Sequence, residues 1–397
     1  MRLVQSVALC TFFIAQQCLA SGVKNLVVFG DSYSDTGNMQ KLSNGPLWSE
    51  SLAVGWNASL YSFAFDGAVC DNDLFGKDDT AMPSIKDQVE MYYSQKMDLK
   101  PEETVYAFWI GMNDIERAFA LDNATTMWSQ VVDCLSNQMR NVRKVFGSNR
   151  FLVLNIPPLD LLPYYAKSEI AATRGKAATE FNALLSRHVI NLNKHHQSLE
   201  MDLIDVHAML QDIVESPDQF GFKDATHAYW DACQGRCTDK IDDYVWWDKA
   251  HLTGGAHRAI ANDILLSGSL EPAVSLKSPS EVEELIASDD RFRSPKYSPQ
   301  FSTGAVEKAV QEAVASKTAE TSTSSPEDWS EETDKEDNTS SGRIYFALMI
   351  IALFCIAFVW FTRRKSRKSN LFALSNLVKS SNSRGRFVPL RTVETSA

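Results

Sequence analysis

Between residues 24 and 266, short, mainly apolar runs alternate with longer stretches in which apolar residues recur every three or four positions. The runs are 26–29, 104–110 (TVYAFWI), 151–156 (FLVLNI) and 201–206 (MDLIDV). Runs of that kind suit strands buried on both faces. The longer stretches are 126–146, with Val131, Leu135, Met139 and Val142 at helical spacing, and 169–196, with Phe181, Leu185, Val189 and Leu192. The alternation predicts an α/β fold, a parallel sheet covered by helices on both faces. Functional groups in such sheets gather at the carboxyl ends of strands. Here the first run ends in Gly30-Asp31-Ser32 and the second in Gly111-Met112-Asn113-Asp114.

The pattern changes outside this region. Residues 1–20 have one early Arg and an apolar stretch closing on Cys18-Leu19-Ala20, which reads as a secretory signal peptide. From 267 to 342 Ser, Thr, Glu, Asp and Pro dominate, which predicts a stalk with a short helix at 306–315. Residues 344–361 (IYFALMIIALFCIAFVWF) carry no charge over 18 positions, enough for one transmembrane helix within 343–362. The tail, 363–397, holds nine Lys or Arg against one Glu, which places it in the cytosol. The expectation is a single-pass type I membrane protein of the secretory pathway or cell surface. Its 21–266 domain would be luminal or extracellular.

The net charge of -11 argues against nucleic acid as a partner. An oxidising lumen would leave four cysteines to pair. Cys233 and Cys237 enclose three residues and are the first choice for a local bridge, and Cys70 with Cys134 follows by elimination. A zinc site at Cys233 and Cys237 would need two further ligands, and none is suitably arranged. Asn57, Asn123 and Asn338 open sequons for N-glycans.

Chemistry concentrates in four short blocks. Ser32 follows a strand and precedes a turn, where a hydroxyl meets solvent and nearby backbone N–H groups can receive negative charge. A serine hydroxyl needs a base. Asp248-Lys249-Ala250-His251 offers one, since Asp248 can hold Nδ1 of His251 and leave Nε2 for Ser32. The remaining histidines (His188, His195, His196, His207, His227 and His257) are read as lacking such a partner. Asn113 offers an amide and Gly67 an unobstructed N–H for an oxyanion. Each block alone has a plainer reading as a cap or turn.

Taken in order, Gly-Asp-Ser-Tyr-Ser-Asp-Thr-Gly-Asn (30–38), Gly67, Gly-Met-Asn-Asp (111–114) and Asp-x-x-His (248–251) resemble the GDSL/SGNH hydrolases over about residues 24–266. The resemblance implies a three-layer α/β/α, flavodoxin-like fold and acyl transfer through a serine ester, with no metal and no cofactor. Further stretches (45–50, 65–72 and 245–251) are similar to fungal carbohydrate acetylesterases. The likeness implies a triad of Ser32, Asp248 and His251, and an oxyanion hole of Ser32 N–H, Gly67 N–H and the Asn113 side chain. Two departures stand out. Tyr33 replaces the leucine of the family name. Asp66 replaces a glycine beside the oxyanion donor and is expected to point away. Trp230, Trp246 and Trp247 lie in the segment leading to His251, where aromatic faces can stack on a sugar ring or pack in the core; Trp246 and Trp247 are read as the substrate-binding rings, with core packing as the plainer alternative.

The function expected is an esterase that removes acetyl or other short acyl groups from carbohydrate, its partner an acetylated oligosaccharide. A lipid or lysophospholipid esterase is the first alternative. A non-catalytic surface binding module is the second.

Overall fold

The computed structural model describes residues 22–76, 81–121, 124–196, 198–234 and 236–323. The signal segment, the 343–362 span, the tail, Asn123 and Asn338 lie outside these residues.

The strands are β1 (Asn25–Gly30), β2 (Ser59–Ser62), β3 (Thr104–Trp109), β4 (Arg150–Leu154) and β5 (Glu200–Ile204), with β6 (Asp224–Ala228) and β7 (Tyr244–Trp246) in a second, two-stranded sheet. The helices are α1 (Trp48–Trp56), α2 (Ile85–Ser94), α3 (Met112–Phe119), α4 (Ala124–Phe146), α5 (Ala171–His195), α6 (Val206–Glu215), α7 (Tyr229–Cys233), α8 (Gly254–Ser267), α9 (Pro279–Ser288) and α10 (Ala305–Thr323). The main sheet runs β2-β1-β3-β4-β5, all parallel. Every residue of β3 and β4 is buried, which is why both were legible as unbroken apolar runs.

From β1 the chain steps one way to β2, then returns past β1 to β3, β4 and β5. Right-handed crossovers therefore place α1 on one face and α2, α4 and α5 on the other. Accordingly α1 packs on α8, while α4 packs on α2 and α5. The direction reverses between β1 and β3, and at their carboxyl ends lie Ser32 and Asn113. Such a reversal opens a crevice where α/β sheets bind ligands.

The structure pairs Cys70 with Cys134 and Cys233 with Cys237. The first bridge joins the loop after Gly67 to α4.

The expected stalk needs correction at its start. Residues 267–316 are not an unfolded tether; their apolar residues reach back into the domain. Val282, Phe292, Tyr297 and Val306 are all buried in the core. Tyr297 stacks on Phe63 at 4.0 Å between centroids and 17° between planes. Ser294 Oγ accepts from Ser62 N at 2.7 Å, which satisfies the open edge of β2. The Glu90 carboxylate accepts from Ser302 Oγ (2.9 Å), Gly304 N (3.1 Å) and Ala305 N (2.9 Å), so it caps the start of α10. A C-terminal strap thus belongs to the folded domain. Among the described residues no helix is long and apolar enough to cross a membrane.

Candidate active site

The strand–turn junction at β1 is tight. A Cβ on Gly30 would sit 2.7 Å from the Trp109 carbonyl oxygen, so the chain passes here only as glycine. Gln88, fully buried on α2, accepts from Gly30 N at 2.9 Å and donates to Gly30 O at 2.9 Å. Its amide acts as a short surrogate strand and fixes the backbone two residues before Ser32. Beyond it, Ser34 N and Asp35 N both donate to Asp31 O, curling the chain into a turn with Ser32 at its crest.

Ser32 Oγ lies 3.0 Å from His251 Nε2, across 219 residues of sequence. His251 Nδ1 lies 2.8 Å from Asp248 Oδ2. An ionised carboxylate only accepts, so Nδ1 carries the proton and Nε2 presents its lone pair to the hydroxyl. Asp248 Oδ1 also accepts from Ala250 N and His251 N, both at 2.8 Å, which locks the turn. Burial pushes the Asp248 carboxyl up. The His251 ring and these two N–H groups outweigh it and hold the group below its ordinary value. Ser32 is 3% exposed, and the side chains of His251 and Asp248 are 15% and 35% exposed, so the row runs from a sheltered hydroxyl to a half-open carboxylate.

Gly67 sits at φ +78, a left-handed turn that favours glycine. The turn is held from behind. Asp35 accepts from Asp66 N (3.0 Å), Gly37 N (2.8 Å) and Asn38 N (2.7 Å), and one buried carboxylate thereby sets both loops that flank Ser32. The Asn113 side-chain amide donates to Ala68 O at 2.9 Å, which leaves its second N–H. Among the described residues, the amides of Ser32 and Gly67 have no acceptor. Ser32, Gly67 and Asn113 thus each keep an N–H without a partner among the described residues. Asp66 accepts from Gln40 Nε2 at 2.7 Å, so its carboxylate is occupied by a neighbouring loop. Below the site, burial raises both Asp31 and Asp114 to about 7, and Asp114 Oδ1 accepts from Cys70 N at 2.9 Å.

Tyr33 takes a role its position in the motif does not announce. Its ring stacks on Trp109 (4.8 Å, 19°), and its hydroxyl donates to Ala250 O at 2.6 Å. The residue after Ser32 is thereby bonded to the residue before His251. Tyr33→Phe removes that donor at a cost of about 1 kcal/mol, which predicts a fall in kcat of roughly 5–10-fold with KM nearly constant. Steady-state kinetics on an acyl ester check this, and an unchanged kcat would show that the bond does not position the turn.

Two expectations are corrected here. Trp246 cannot be a substrate ring: it is fully buried, and its indole N–H donates to Ala225 O at 2.9 Å, inside the β6–β7 unit. Trp247 is half-buried, with Tyr229 stacked on it at 5.9 Å. The second concerns the other histidines. Asp224 and His227 form a like-spaced pair, Oδ2 to Nδ1 at 2.9 Å, with Asp224 Oδ1 accepting from His227 N at 2.9 Å. Spacing in sequence does not separate this pair from Asp248–His251; only contact with Ser32 does. Asn57 is exposed at the end of α1, with its side-chain oxygen 3.3 Å from Arg291 Nη2. Among the described residues no group of three or more His, Cys, Asp or Glu side chains converges as metal ligands would.

A flavodoxin-like parallel sheet with a serine, histidine and aspartate in hydrogen-bonded sequence at its crevice has the architecture of an α/β serine hydrolase. Residues 26–264 match the GDSL-like Lipase/Acylhydrolase family, and the chain belongs to this family of ester-bond hydrolases. It is 24% identical over 287 residues to the thermolabile hemolysin of Vibrio parahaemolyticus, covering 62% of this chain and 64% of that one. It is 23% identical over 309 residues to an acetylesterase of Hypocrea jecorina, covering 61% of this chain and 88% of the relative. Among solved structures, a member of the lipolytic protein G-D-S-L family from Veillonella parvula aligns with a TM-score of 0.38 at 14% identity, over 61% of this chain and 97% of that one. The chain spans just under two thirds of the hemolysin's length.

Proposed function

We propose that the protein is a serine carboxylic ester hydrolase that removes acetyl or other short acyl groups from carbohydrate through an acyl-serine intermediate. The observation that carries the reading is the unbroken path Ser32 Oγ–His251 Nε2, 3.0 Å, and His251 Nδ1–Asp248 Oδ2, 2.8 Å. Ser32 Oγ attacks the ester carbonyl carbon as Nε2 takes its proton. The carbonyl oxygen becomes an oxyanion, received by Ser32 N–H, Gly67 N–H and the free N–H of Asn113. His251 then returns the proton to the departing alkoxide, and the alcohol leaves. A water gives its proton to Nε2 as its oxygen attacks the acyl-serine, the bond between the acyl carbon and Oγ breaks, and Nε2 returns the proton to Ser32 Oγ as the acid leaves. Asp248 stays ionised throughout and stabilises the imidazolium.

Likeness to an acetylesterase supports the short acyl group, and two disulfides support an oxidising compartment. The same reading places the domain outside the cytosol, after a signal at 1–20 and ahead of a span at 343–362. The test is the full chain assayed on 4-nitrophenyl esters from acetate to palmitate. The expected kcat/KM is highest for acetate and falls by about 10-fold or more by octanoate, since a site built for short acyl groups has no surface for a longer chain. A maximum at long chains would replace this reading with a lipid esterase.

A further inference from the structure

His251 returns its proton to the departing alkoxide, so the alcohol half of an ester leaves on the His251 side while the acyl half stays with the oxyanion donors. Whatever borders the outer edge of the His251 turn therefore meets the alcohol.

Two exposed rings are attached to this segment. Trp247 N donates to His251 O at 2.8 Å, and Trp247 O accepts from Trp230 N at 3.1 Å. Trp230 stands edge-on to Trp247 (5.5 Å, 60°) and is 60% exposed. Tyr164 N donates to Lys249 O at 3.0 Å, and Tyr164 is 61% exposed against the edge of Tyr165 (4.7 Å, 83°). Lys249 Nζ lies 3.5 Å from Asp231 Oδ2, and both side chains are more than half exposed. The exposed Asp224–His227 pair lies on β6, which leads into Trp230.

Scattered exposed aromatics are ordinary on protein surfaces. These two differ in attachment: Tyr164 is tied by a backbone hydrogen bond to the four-residue turn that holds His251, and Trp230 is tied to it through Trp247. We propose that Trp230 and Tyr164 form the alcohol-side subsite, and that its ligand is the sugar chain of an acylated oligosaccharide. The ring faces cover the apolar C–H faces of sugar rings, and Asp231, Lys249 and His227 meet the hydroxyls. Alternation of aromatic and ionic groups is what decides against lipid. An acyl chain or membrane surface calls for a continuous apolar patch, and here charged pairs interrupt it. The inference rests on the ester-hydrolase reading and adds which half of the ester is recognised.

The test compares Trp230→Ala and Tyr164→Ala with the unaltered full chain on acetylated xylo-oligosaccharides, on a lysophospholipid and on 4-nitrophenyl acetate. The ratio of kcat/KM for the oligosaccharide to that for the aryl acetate is expected to fall roughly 3–10-fold for each variant, mostly through KM. Trp230→Phe, which keeps a ring, is expected to restore most of it. An unchanged ratio overturns the proposal, as does an unaltered chain that hydrolyses the aryl acetate but no oligosaccharide ester. A drop confined to a lysophospholipid substrate overturns it in favour of lipid. An unaltered chain inactive on every ester would instead remove the hydrolase reading beneath it.

Discussion

Ser32→Ala is expected to lower kcat/KM on acyl esters by about 10⁴–10⁶-fold, leaving only what the oxyanion donors and substrate binding supply. No other hydroxyl stands in for the lost one, because the proton acceptor, His251 Nε2, is aimed at Ser32 Oγ by two bonds from Asp248. His251→Ala is expected to cost about as much, and the double variant little more, since groups that act as one unit lose their effect together. The melting temperature separates chemistry from folding. The Ser32 hydroxyl makes its bond to His251 alone among the described residues, so the alanine variant is expected to melt within a few degrees of the unaltered protein. Residual activity above about one hundredth would place the nucleophile elsewhere, as such a loss is too small for the attacking atom.

The second large effect concerns folding. A chain ended at Ser267 keeps every residue of the proposed triad and oxyanion hole, yet it is expected to lose cooperative unfolding. A chain ended after α10 is expected to keep it. The shorter chain forfeits burial of Val282, Phe292, Tyr297 and Val306. At about 1.5–3 kcal/mol for each side chain, the loss comes to roughly 6–12 kcal/mol, comparable with the whole stability of a domain. It also bares Phe63, the β2 edge and the Glu90 carboxylate, whose partners lie in the strap. Thermal melts followed by circular dichroism, with limited proteolysis, check this. A sharp transition in the shorter chain would show that the strap only decorates a domain complete at Ser267.

The contrast between these two results reflects what a linear pattern displays. Strands β1, β3 and β4 were legible because sheet burial on both faces leaves a nearly continuous apolar signature, while β5, half-buried at the sheet edge, showed only Met201, Leu203 and Ile204. Strand β2 was not: Ser59–Ser62 alternates half-buried and buried positions over four residues and reads as polar. The strap escaped for a similar reason. Its anchors are single apolar residues set five to ten apart in a Ser- and Glu-rich stretch, below any local periodicity.

At the site, the blocks around Ser32, Gly67, Asn113 and His251 stood out by their order. The residues that brace them did not. Gln88, Asp35 and the Tyr33 hydroxyl all bond to backbone atoms of distant residues. Such partners leave no mark in a sequence, because any residue type offers the same amide. Trp246 and Trp247 show the complementary failure. Two adjacent tryptophans look alike in sequence, but Trp246 ends β7 inside the unit while Trp247, just past the strand, reaches the surface.

The strap also sets an order in time. Ser62 on the β2 edge and Ser294, which covers it, are 232 residues apart. At a synthesis rate of about 5–20 residues per second, β2 leaves the ribosome roughly 10–50 s before its cover does. Throughout that interval the nascent sheet carries an unpaired edge, the feature that most readily recruits a second chain. The β2 edge at Ser62 therefore gains its cover only after the C-terminal strap has been translated, which makes the strap the last element to close the sheet.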